Sequence, residues 1–215
     1  MKRLAIIGAG DLGLQLANLA KAAGGYVLVG FFDDTRRSGD VVASAPVLGG
    51  LDAVRSGFDQ GKFDCIAIGI GYKHLALRQE LYSAHAASIP FATLVHPSAI
   101  IDPACHIHEG AVIYAGCVVD MGATIGPNTL LNVGCVIAHD SNIGASCFLS
   151  PAVSVAGFVD VGAACVLGIG TVVIDNIRIA SGCRTGAGTV VTSHLSRPGL
   201  YLGTPARFDR ELGEK

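Results

Sequence analysis

Two short segments of the chain carry residue types that could do chemistry. In the first, CVIAHDSNIG, the histidine is His139 and the next residue is Asp140. A positioned imidazole can act as a general base, and an adjacent carboxylate can orient the ring and stabilise the imidazolium that forms. The alternative interpretation is a surface histidine in a turn. The first interpretation predicts that His139 accepts a proton and that Asp140 orients its ring.

The second segment is IIGAGDLG at residues 6–13, which begins in an apolar stretch. Its glycines have the spacing GxGxxG, which allows a tight turn and the close approach of a phosphate to the N-terminus of the next helix. The acids of FFDD, Asp33 and Asp34, follow the next predicted strand, as in dinucleotide-binding folds. A glycine turn that only packs a helix on a strand is the alternative. The candidate phosphate-binding glycines are Gly8, Gly10 and Gly13.

The first 97 residues are predicted to form a small α/β unit with a parallel sheet, because apolar runs alternate with helical patterns. The predicted strands are 2–8, 26–32, 63–71 and 91–97, and the predicted helices are 12–23, near 51–57, and 74–87. A dinucleotide fold needs two mononucleotide-binding halves, and this unit has room for one. It therefore suits a nucleoside diphosphate, such as that of a nucleotide-linked sugar, better than a nicotinamide or flavin.

The second half of the chain is an internal repeat with a period of six residues. From Ile101 to Val191, every sixth residue is aliphatic at fifteen of sixteen positions, with Thr185 as the exception. A helical period of 3.6 would scatter these side chains around a helix surface, so a helix is excluded. One short strand and one turn per hexad, with three hexads per coil, predict a parallel β-helix of about five coils.

Six of the seven cysteines lie two residues before a position of the six-residue repeat, in a slot that elsewhere holds small residues such as alanine, serine and threonine. This regularity predicts an inward slot for a small side chain, in which a buried thiol behaves as a small hydrophobe. Metal binding and disulfide formation are the alternatives, and the chain contains no CxxC pair to support them. The six residues are Cys105, Cys117, Cys135, Cys147, Cys165 and Cys183.

The hexad pattern resembles that of the hexapeptide-repeat acyltransferases, which fold as left-handed parallel β-helices. The segment LYLGTPAR at residues 200–207 strengthens the resemblance, because G-x-P-A-R closes the repeats in many of those proteins. Together with the small Rossmann-like unit, nearly the whole chain resembles the NeuD/PglD-type sugar acyltransferases. The resemblance implies a nucleotide-sugar-binding domain at residues 1–97 and a left-handed β-helix acyltransferase domain at residues 98–215.

The implied activity is N-acetylation of the amino group of a nucleotide-linked amino sugar, with acetyl-CoA as co-substrate, for surface polysaccharide or glycan biosynthesis. The alternatives are O-acetylation of a sialic-acid-type sugar and a non-catalytic β-helix that only binds a nucleotide-linked sugar. UDP, dTDP and GDP remain open as the nucleotide. The resemblance also implies a homotrimer, whose interfaces cover outward apolar side chains such as Phe148 and Phe158.

The resemblance assigns roles to several residues already singled out. His139 and Asp140 match the family's catalytic pair position for position, and the glycine fingerprint with its two acids matches the family's nucleotide site. Gly157 lies one coil after His139, where the family uses a glycine N–H for the carbonyl oxygen and where the missing side chain leaves room for the thioester. Family members often read IGDN after the third strand, whereas this chain reads IGIGYK, so Lys73 or Tyr72 is expected to contact the substrate.

Three further residues are candidates from their places in the repeat. Asn132 is the one asparagine in its column, beside Tyr114 and Ser150, and we expect it to contact the substrate or to orient the ring. Gly168 and Gly186 are expected to narrow the later coils into a groove for the pantetheine arm, with tight β-helix turns as the alternative.

Composition and charge limit the partners. The formal net charge is −2, so no basic surface for nucleic acid or for a membrane is expected. No apolar run reaches the length of about 18 residues that predicts a membrane-spanning helix, and we expect a cytoplasmic protein. His106 and His108 fall in columns different from that of His139, so no metal site is expected. The remaining histidines are interpreted as surface or capping residues.

Overall fold

The computed structural model describes residues 1–213, which form two compact units that divide between Val95 and His96. The helices lie in the first unit, and the second is built from short strands. No helix among the described residues is both long and apolar enough to cross a bilayer.

The first unit is an α/β structure whose sheet is mixed. Its elements are β1 Lys2–Ile7, α1 Asp11–Ala23, β2 Tyr26–Phe32, β3 Val41–Val42, β4 Ala45–Gly49, α2 Ala53–Asp59, β5 Cys65–Ile68, α3 Leu75–His85 and β6 Leu94–Val95. Five strands form one sheet in the order β3-β4-β2-β1-β5, in which only the β3–β4 pair is antiparallel. The prediction of a wholly parallel sheet was therefore wrong. The hairpin β3–β4 was not predicted, because its strands are short and the second contains Pro46.

The centre of this sheet is buried on both faces. In β1, every residue from Leu4 to Ile7 has no exposed surface, as expected for a central parallel strand. Helix α1 packs through Leu16, Leu19 and Ala20. Because β1, β2 and β5 run in parallel, their carboxyl ends meet at one edge of the sheet, which is where open α/β sheets bind ligands.

The second unit is a parallel β-helix. Its repeat strands are β7 Ile100–Ile101, β8 His106–Ile107, β9 Val112–Ile113, β10 Val118–Val119, β11 Thr124–Ile125, β12 Leu130–Leu131, β13 Val136–Ile137, β14 Asn142–Ile143, β15 Phe148–Leu149, β16 Ser154–Val155, β17 Asp160–Val161, β18 Val166–Leu167, β19 Val172–Val173, β20 Arg178–Ile179, β21 Cys183–Thr185 and β22 Val190–Val191; β23 Gly199–Leu202 and β24 Arg207–Arg210 come after them. Strands β7 to β19 each pair in parallel with the strand 18 residues later, as Val118 does with Val136. The predicted coil of three hexads is thus confirmed.

The faces of the β-helix differ in the side chains that point outward. The apolar face is the sheet β7-β10-β13-β16-β19-β22, and the polar face is the sheet β8-β11-β14-β17-β20. Outward positions of the apolar face are Ile100, Val118, Val136, Ser154, Val172 and Val190, and those of the polar face are His106, Thr124, Asn142, Asp160 and Arg178. Phe148, expected to be exposed, lies on the third face between Leu130 and Val166 in the ladder and is buried; Phe158 is 56% exposed.

The small residues of the inward slot also make hydrogen bonds between coils. The Thr129 hydroxyl donates to the Gly144 carbonyl at 2.7 Å and accepts the N–H of Cys147 at 3.0 Å. The cysteine thiols donate in the same way to the carbonyl one coil away, as Cys117 does to Asn132 at 3.0 Å. The cysteines are packed as predicted, and all seven are free thiols. The slot therefore favours a hydrogen-bond donor as well as a small volume.

We expect Thr129→Val to lower the free energy of unfolding by about 1–3 kcal/mol, because the isosteric side chain removes a buried donor and acceptor together. Thr124→Val is the matched control, since Thr124 points outward from β11 on the same coil and should change stability by less than about 0.5 kcal/mol. Urea unfolding of the three proteins checks this. Equal destabilisation by the two substitutions would contradict a specific role for the slot hydroxyl.

Candidate active site

The corners of the β-helix are two-residue turns, and His139 and Asp140 form one of them. The second turn residue has positive φ at nearly every corner, including Asp140 at 55°. Glycine, asparagine and aspartate tolerate this left-handed conformation better than other residues. His139 occupies the first turn position, from which its side chain can reach the neighbouring coil.

The two side chains form a hydrogen-bonded pair at the surface. His139 Nδ1 lies 3.1 Å from Asp140 Oδ2, and both side chains are 45% exposed. An ionised carboxylate can only accept, so in the neutral ring Nδ1 carries the hydrogen and donates it to Asp140. This tautomer leaves Nε2 without a hydrogen, as a proton acceptor requires. The geometry therefore provides an oriented base at the corner.

Two glycines, on the coils before and after, make room for this pair. A Cβ built on Gly157 would lie 2.8 Å from both Nε2 and Cε1 of His139, so the imidazole lies flat against that glycine. A Cβ on Gly122 would lie 2.6 Å from Asp140 Oδ1. The missing side chain of Gly157 was expected to leave room for a thioester, whereas the imidazole of His139 fills that space. Gly122 was missed, although it precedes Asp140 by 18 residues.

The backbone at Gly157 is consistent with a role in binding an oxygen. Its carbonyl accepts the N–H of Asn176 at 3.1 Å. Within residues 1–213 no hydrogen-bond acceptor is found for the N–H of Gly157. A backbone N–H beside an imidazole is the kind of donor that stabilises a developing oxyanion.

An aromatic ring adjoins the pair, which sequence analysis did not predict. Phe158 meets the His139 ring edge to face, with centroids 5.0 Å apart and an interplanar angle of 88°. It is 56% exposed and has φ of 56°, a conformation that a bulky residue rarely adopts. Phe158 therefore forms an apolar wall on one side of the imidazole.

Three predicted residues lie at a different corner of the β-helix. Asn132 precedes the turn at residues 133–134, where its Oδ1 accepts the N–H of Val133 at 2.8 Å. Gly168 and Gly186 stack in the same column, and a Cβ on Gly168 would lie 2.6 Å from the Thr185 carbonyl oxygen. A Cβ on Gly186 would overlap Leu202. Tight contact between coils thus explains both glycines without a ligand.

In the first unit, the three glycines of the fingerprint differ in their surroundings. Gly8 has φ of 97°, and a Cβ on Gly13 would overlap the carbonyl oxygen of Gly8, so both are required by the turn itself. Gly10 is exposed at the N-terminus of α1 with φ of −86°, and nothing lies within 4 Å of its hypothetical Cβ. Gly10 is therefore the position at which a ligand could use the missing side chain.

The two acids after β2 bind backbone N–H groups. Asp33 accepts from Ala9 N at 2.7 Å and from Thr35 N at 2.8 Å, and Asp34 accepts from Leu51 N at 2.7 Å. Partial burial raises the pKa of Asp33, but hydrogen bonds from Thr35 and Ala9 outweigh this effect and leave the pKa below its ordinary value. Both carboxylates thus fix loops at the carboxyl edge of the sheet.

Lys73 is exposed in a single turn of 3-10 helix, Tyr72–His74, after β5. The loop before it is held by Arg78 of α3, which is buried and donates to the carbonyls of Ile68 at 2.6 Å and Ile70 at 3.2 Å. Arg78 was not predicted as a structural residue, although it falls on the apolar stripe of α3 between Leu75 and Leu81. The structure therefore places Lys73 at the same edge as the glycine loop.

No group of three or more histidine, cysteine or acidic side chains suited to a metal ion occurs within residues 1–213.

Comparison with known proteins agrees with these features. The profile of the PglD N-terminal domain matches residues 3–84. A search of curated proteins returned no match. Among solved structures, the chain is similar to a histidine-to-asparagine mutant of perosamine N-acetyltransferase from Caulobacter crescentus in complex with CoA and GDP-perosamine, with 30% identity, a TM-score of 0.90 and coverage of 98% of each chain.

Two other solved structures are similar over almost their whole length. The acetyltransferase domain of PglB from Neisseria gonorrhoeae FA1090 has 29% identity and a TM-score of 0.88, over 97% of this chain and 100% of that one. WeeI from Acinetobacter baumannii AYE has 21% identity and a TM-score of 0.76, over 97% of this chain and 100% of that one, and this likeness concerns the fold alone.

Proposed function

The chain belongs to the NeuD/PglD-type family of sugar acyltransferases, and we propose that His139, Asp140 and Gly157 form its catalytic centre. It has the family's Rossmann-like domain and left-handed parallel β-helix. It is an acetyl-CoA-dependent N-acetyltransferase that acts on the amino group of a nucleotide-linked amino sugar, with coenzyme A as the carrier of the acetyl group.

The observation that carries the proposal is the hydrogen bond between His139 Nδ1 and Asp140 Oδ2, which orients the ring and leaves Nε2 available as the acceptor. As the sugar amine attacks the thioester carbonyl, Nε2 takes the proton that the nitrogen loses, and Asp140 stabilises the imidazolium. The N–H of Gly157 donates to the carbonyl oxygen as it gains negative charge. The attack forms the C–N bond. The C–S bond then breaks, and the imidazolium gives its proton to the leaving thiolate. The products are an acetamido sugar and free CoA.

We assign the nucleotide of the sugar to the carboxyl edge of the first unit. Gly10 leaves open space at the N-terminus of α1, where backbone N–H groups and the helix dipole favour a phosphate. Asp33 and Asp34 hold the surrounding loops, and Lys73 supplies a positive charge at the same edge. Calorimetry with individual nucleotides identifies the one that binds.

The product of this reaction is still linked to its nucleotide, so it is an activated donor for glycosyl transfer. We therefore assign the reaction to the assembly of a surface polysaccharide or glycan. We place the protein in the cytoplasm, since seven free thiols suit a reducing compartment.

We expect His139→Ala to lower kcat by roughly 10²–10⁴, because the sugar amine loses its proton acceptor. Asp140→Asn should cost less, since Asp140 orients the ring and takes no proton. Release of free thiol from acetyl-CoA, measured with a panel of nucleotide-linked amino sugars, checks both. If the His139→Ala protein keeps activity within about threefold of wild type, His139 is not the base.

Gly10→Val should raise the KM for the nucleotide-linked sugar by about tenfold or more, the equivalent of losing about 1.4 kcal/mol of binding. The valine side chain fits the free protein, because nothing lies within 4 Å of the Cβ and φ is not positive. The KM for acetyl-CoA and the melting temperature should stay unchanged and serve as controls.

Calorimetry of wild type and Gly10→Val with UDP, dTDP, GDP and NADH extends this test. One nucleoside diphosphate should bind the wild type, and NADH should not at about 100 μM. Tight NADH binding would show that the first unit is a nicotinamide site, and failure of every nucleotide would leave the glycine turn as packing alone.

The apolar face supports the proposal of a homotrimer. Its outward residues Ile100, Val136 and Val172 are 67%, 40% and 40% exposed, in a column that is apolar except at Ser154 and of the kind that other subunits cover. We expect a mass in solution near three times 21.9 kDa. Val172→Lys should lower the mass in solution, because it places a charge on the apolar face, whereas Thr124→Lys on the polar face should leave the mass unchanged. A monomeric wild-type protein at micromolar concentration would exclude the trimer.

A further inference from the structure

The second turn residue of each corner adopts the same backbone conformation, and Phe158 is the one bulky side chain among these residues. At every sixth residue from 110 to 188, φ lies between 55° and 75°. The fourteen residues at these positions are seven glycines, two asparagines, two alanines, Asp140, Ser146 and Phe158. Left-handed backbone is unfavourable for a bulky side chain, whereas glycine and asparagine tolerate it. The backbone of this corner therefore disfavours phenylalanine.

Neither burial nor the hydrogen bonding of the corner accounts for Phe158. The residue is 56% exposed, so less than half of its surface is buried. Its backbone N–H donates to the His139 carbonyl at 3.2 Å, a bond that asparagine or glycine would make equally well. A residue that keeps an unfavourable conformation with so little burial indicates a local function.

The contact of Phe158 that a small turn residue cannot replace is the one with His139. Phe158 follows Asp140 by 18 residues, so its corner stacks on the corner of the hydrogen-bonded pair. The two rings meet at 88° with centroids 5.0 Å apart, which is a favoured geometry for an edge-to-face contact. A contact of this kind shifts an equilibrium between two side-chain positions by about two- to tenfold.

His139 needs such a contact because its other restraints are weak. Its hydrogen bond to Asp140 joins two side chains that are each 45% exposed, so water competes for both partners. Gly157 makes room for the imidazole but, without a side chain, offers few atoms that could hold it. A third contact therefore narrows the positions that the imidazole can occupy.

We propose that Phe158 is a positioning residue for the acetyl transfer, because its ring holds the imidazole of His139 in the orientation that Asp140 and Gly157 permit. The proposal rests on the proposed function, since Phe158 acts through His139 as the base. The left-handed conformation of Phe158 is then a loss of stability that maintains the orientation of the base.

Phe158→Asn tests the proposal, because asparagine tolerates the left-handed backbone but cannot make the ring contact. We expect kcat to fall by about two- to tenfold, with the KM for both substrates within about twofold of wild type, since the ring orients the base and binds neither substrate. The melting temperature should stay within about 3 °C of wild type or rise, because the relaxed backbone offsets the lost contact. Phe158→Tyr keeps the aromatic ring and should keep kcat within about 1.5-fold of wild type.

Ala152→Asn is the matched control. Ala152 is exposed, has φ of 59° and lies at a different corner of the β-helix. The substitution makes the same change of backbone preference away from His139, so it should leave kcat unchanged. The mass of Phe158→Asn in solution should equal that of the wild type, because the proposed role lies within one subunit.

A second experiment measures whether Phe158 acts through His139. In the His139→Ala background, Phe158→Asn should change the residual kcat by less than about 1.5-fold, because no imidazole remains to be held. An equal fall in both backgrounds, or a raised KM for the nucleotide-linked sugar, would show that Phe158 contacts the substrate and would overturn the proposal. A lower mass in solution would assign Phe158 to subunit packing, which also overturns it, as would a kcat of Phe158→Asn within about 1.5-fold of wild type.

These outcomes are distinct from failure of the proposed function. If His139→Ala itself keeps activity near that of the wild type, the assignment of the base fails and this proposal fails with it. If His139→Ala loses activity whereas Phe158→Asn does not, the role of Phe158 alone is refuted.

Discussion

The stacking of one 18-residue coil on the next is the constraint on which the second unit depends. Every residue has a neighbour 18 positions away in an adjacent parallel strand or corner, at a spacing of about 4.8 Å. A side chain that turns along the axis therefore meets the backbone of the next coil. His139 and Asp140 can do so only because Gly157 and Gly122 have no Cβ. The hydrogen-bonded pair of His139 and Asp140 thus depends on three successive coils.

In the first unit, charged side chains hold backbone groups in place through hydrogen bonds. Asp33 and Asp34 accept N–H groups of neighbouring loops, and the buried Arg78 holds two carbonyls after β5. These hydrogen bonds order the loops at the carboxyl edge before any ligand arrives. A rigid edge reduces the entropy that the binding of a ligand there must overcome.

The features that depend on periodicity could be predicted from the sequence alone. The six-residue period defined the coil, the inward slot and the corner that carries His139, because each depends on spacing. It did not reveal that the imidazole fills the space at Gly157, or that Thr129 and the thiols bond the next coil, since these depend on side-chain direction. The hairpin β3–β4 lacks a clear alternating pattern, so the sequence did not predict it. His194 lies after the repeats, so the six-residue period could not predict its hydrogen bond with Arg178.

The central claim is that the Nε2 of His139 receives the proton of the sugar amine. A crystal structure of the protein with CoA and an unreacted nucleotide-linked amino sugar measures this most directly, through the distance between Nε2 and the amine nitrogen. We expect about 2.6–3.2 Å, or one bridging water, with Asp140 still bonded to Nδ1. An amine that lies at another corner of the β-helix, or that faces a different base, would contradict the account.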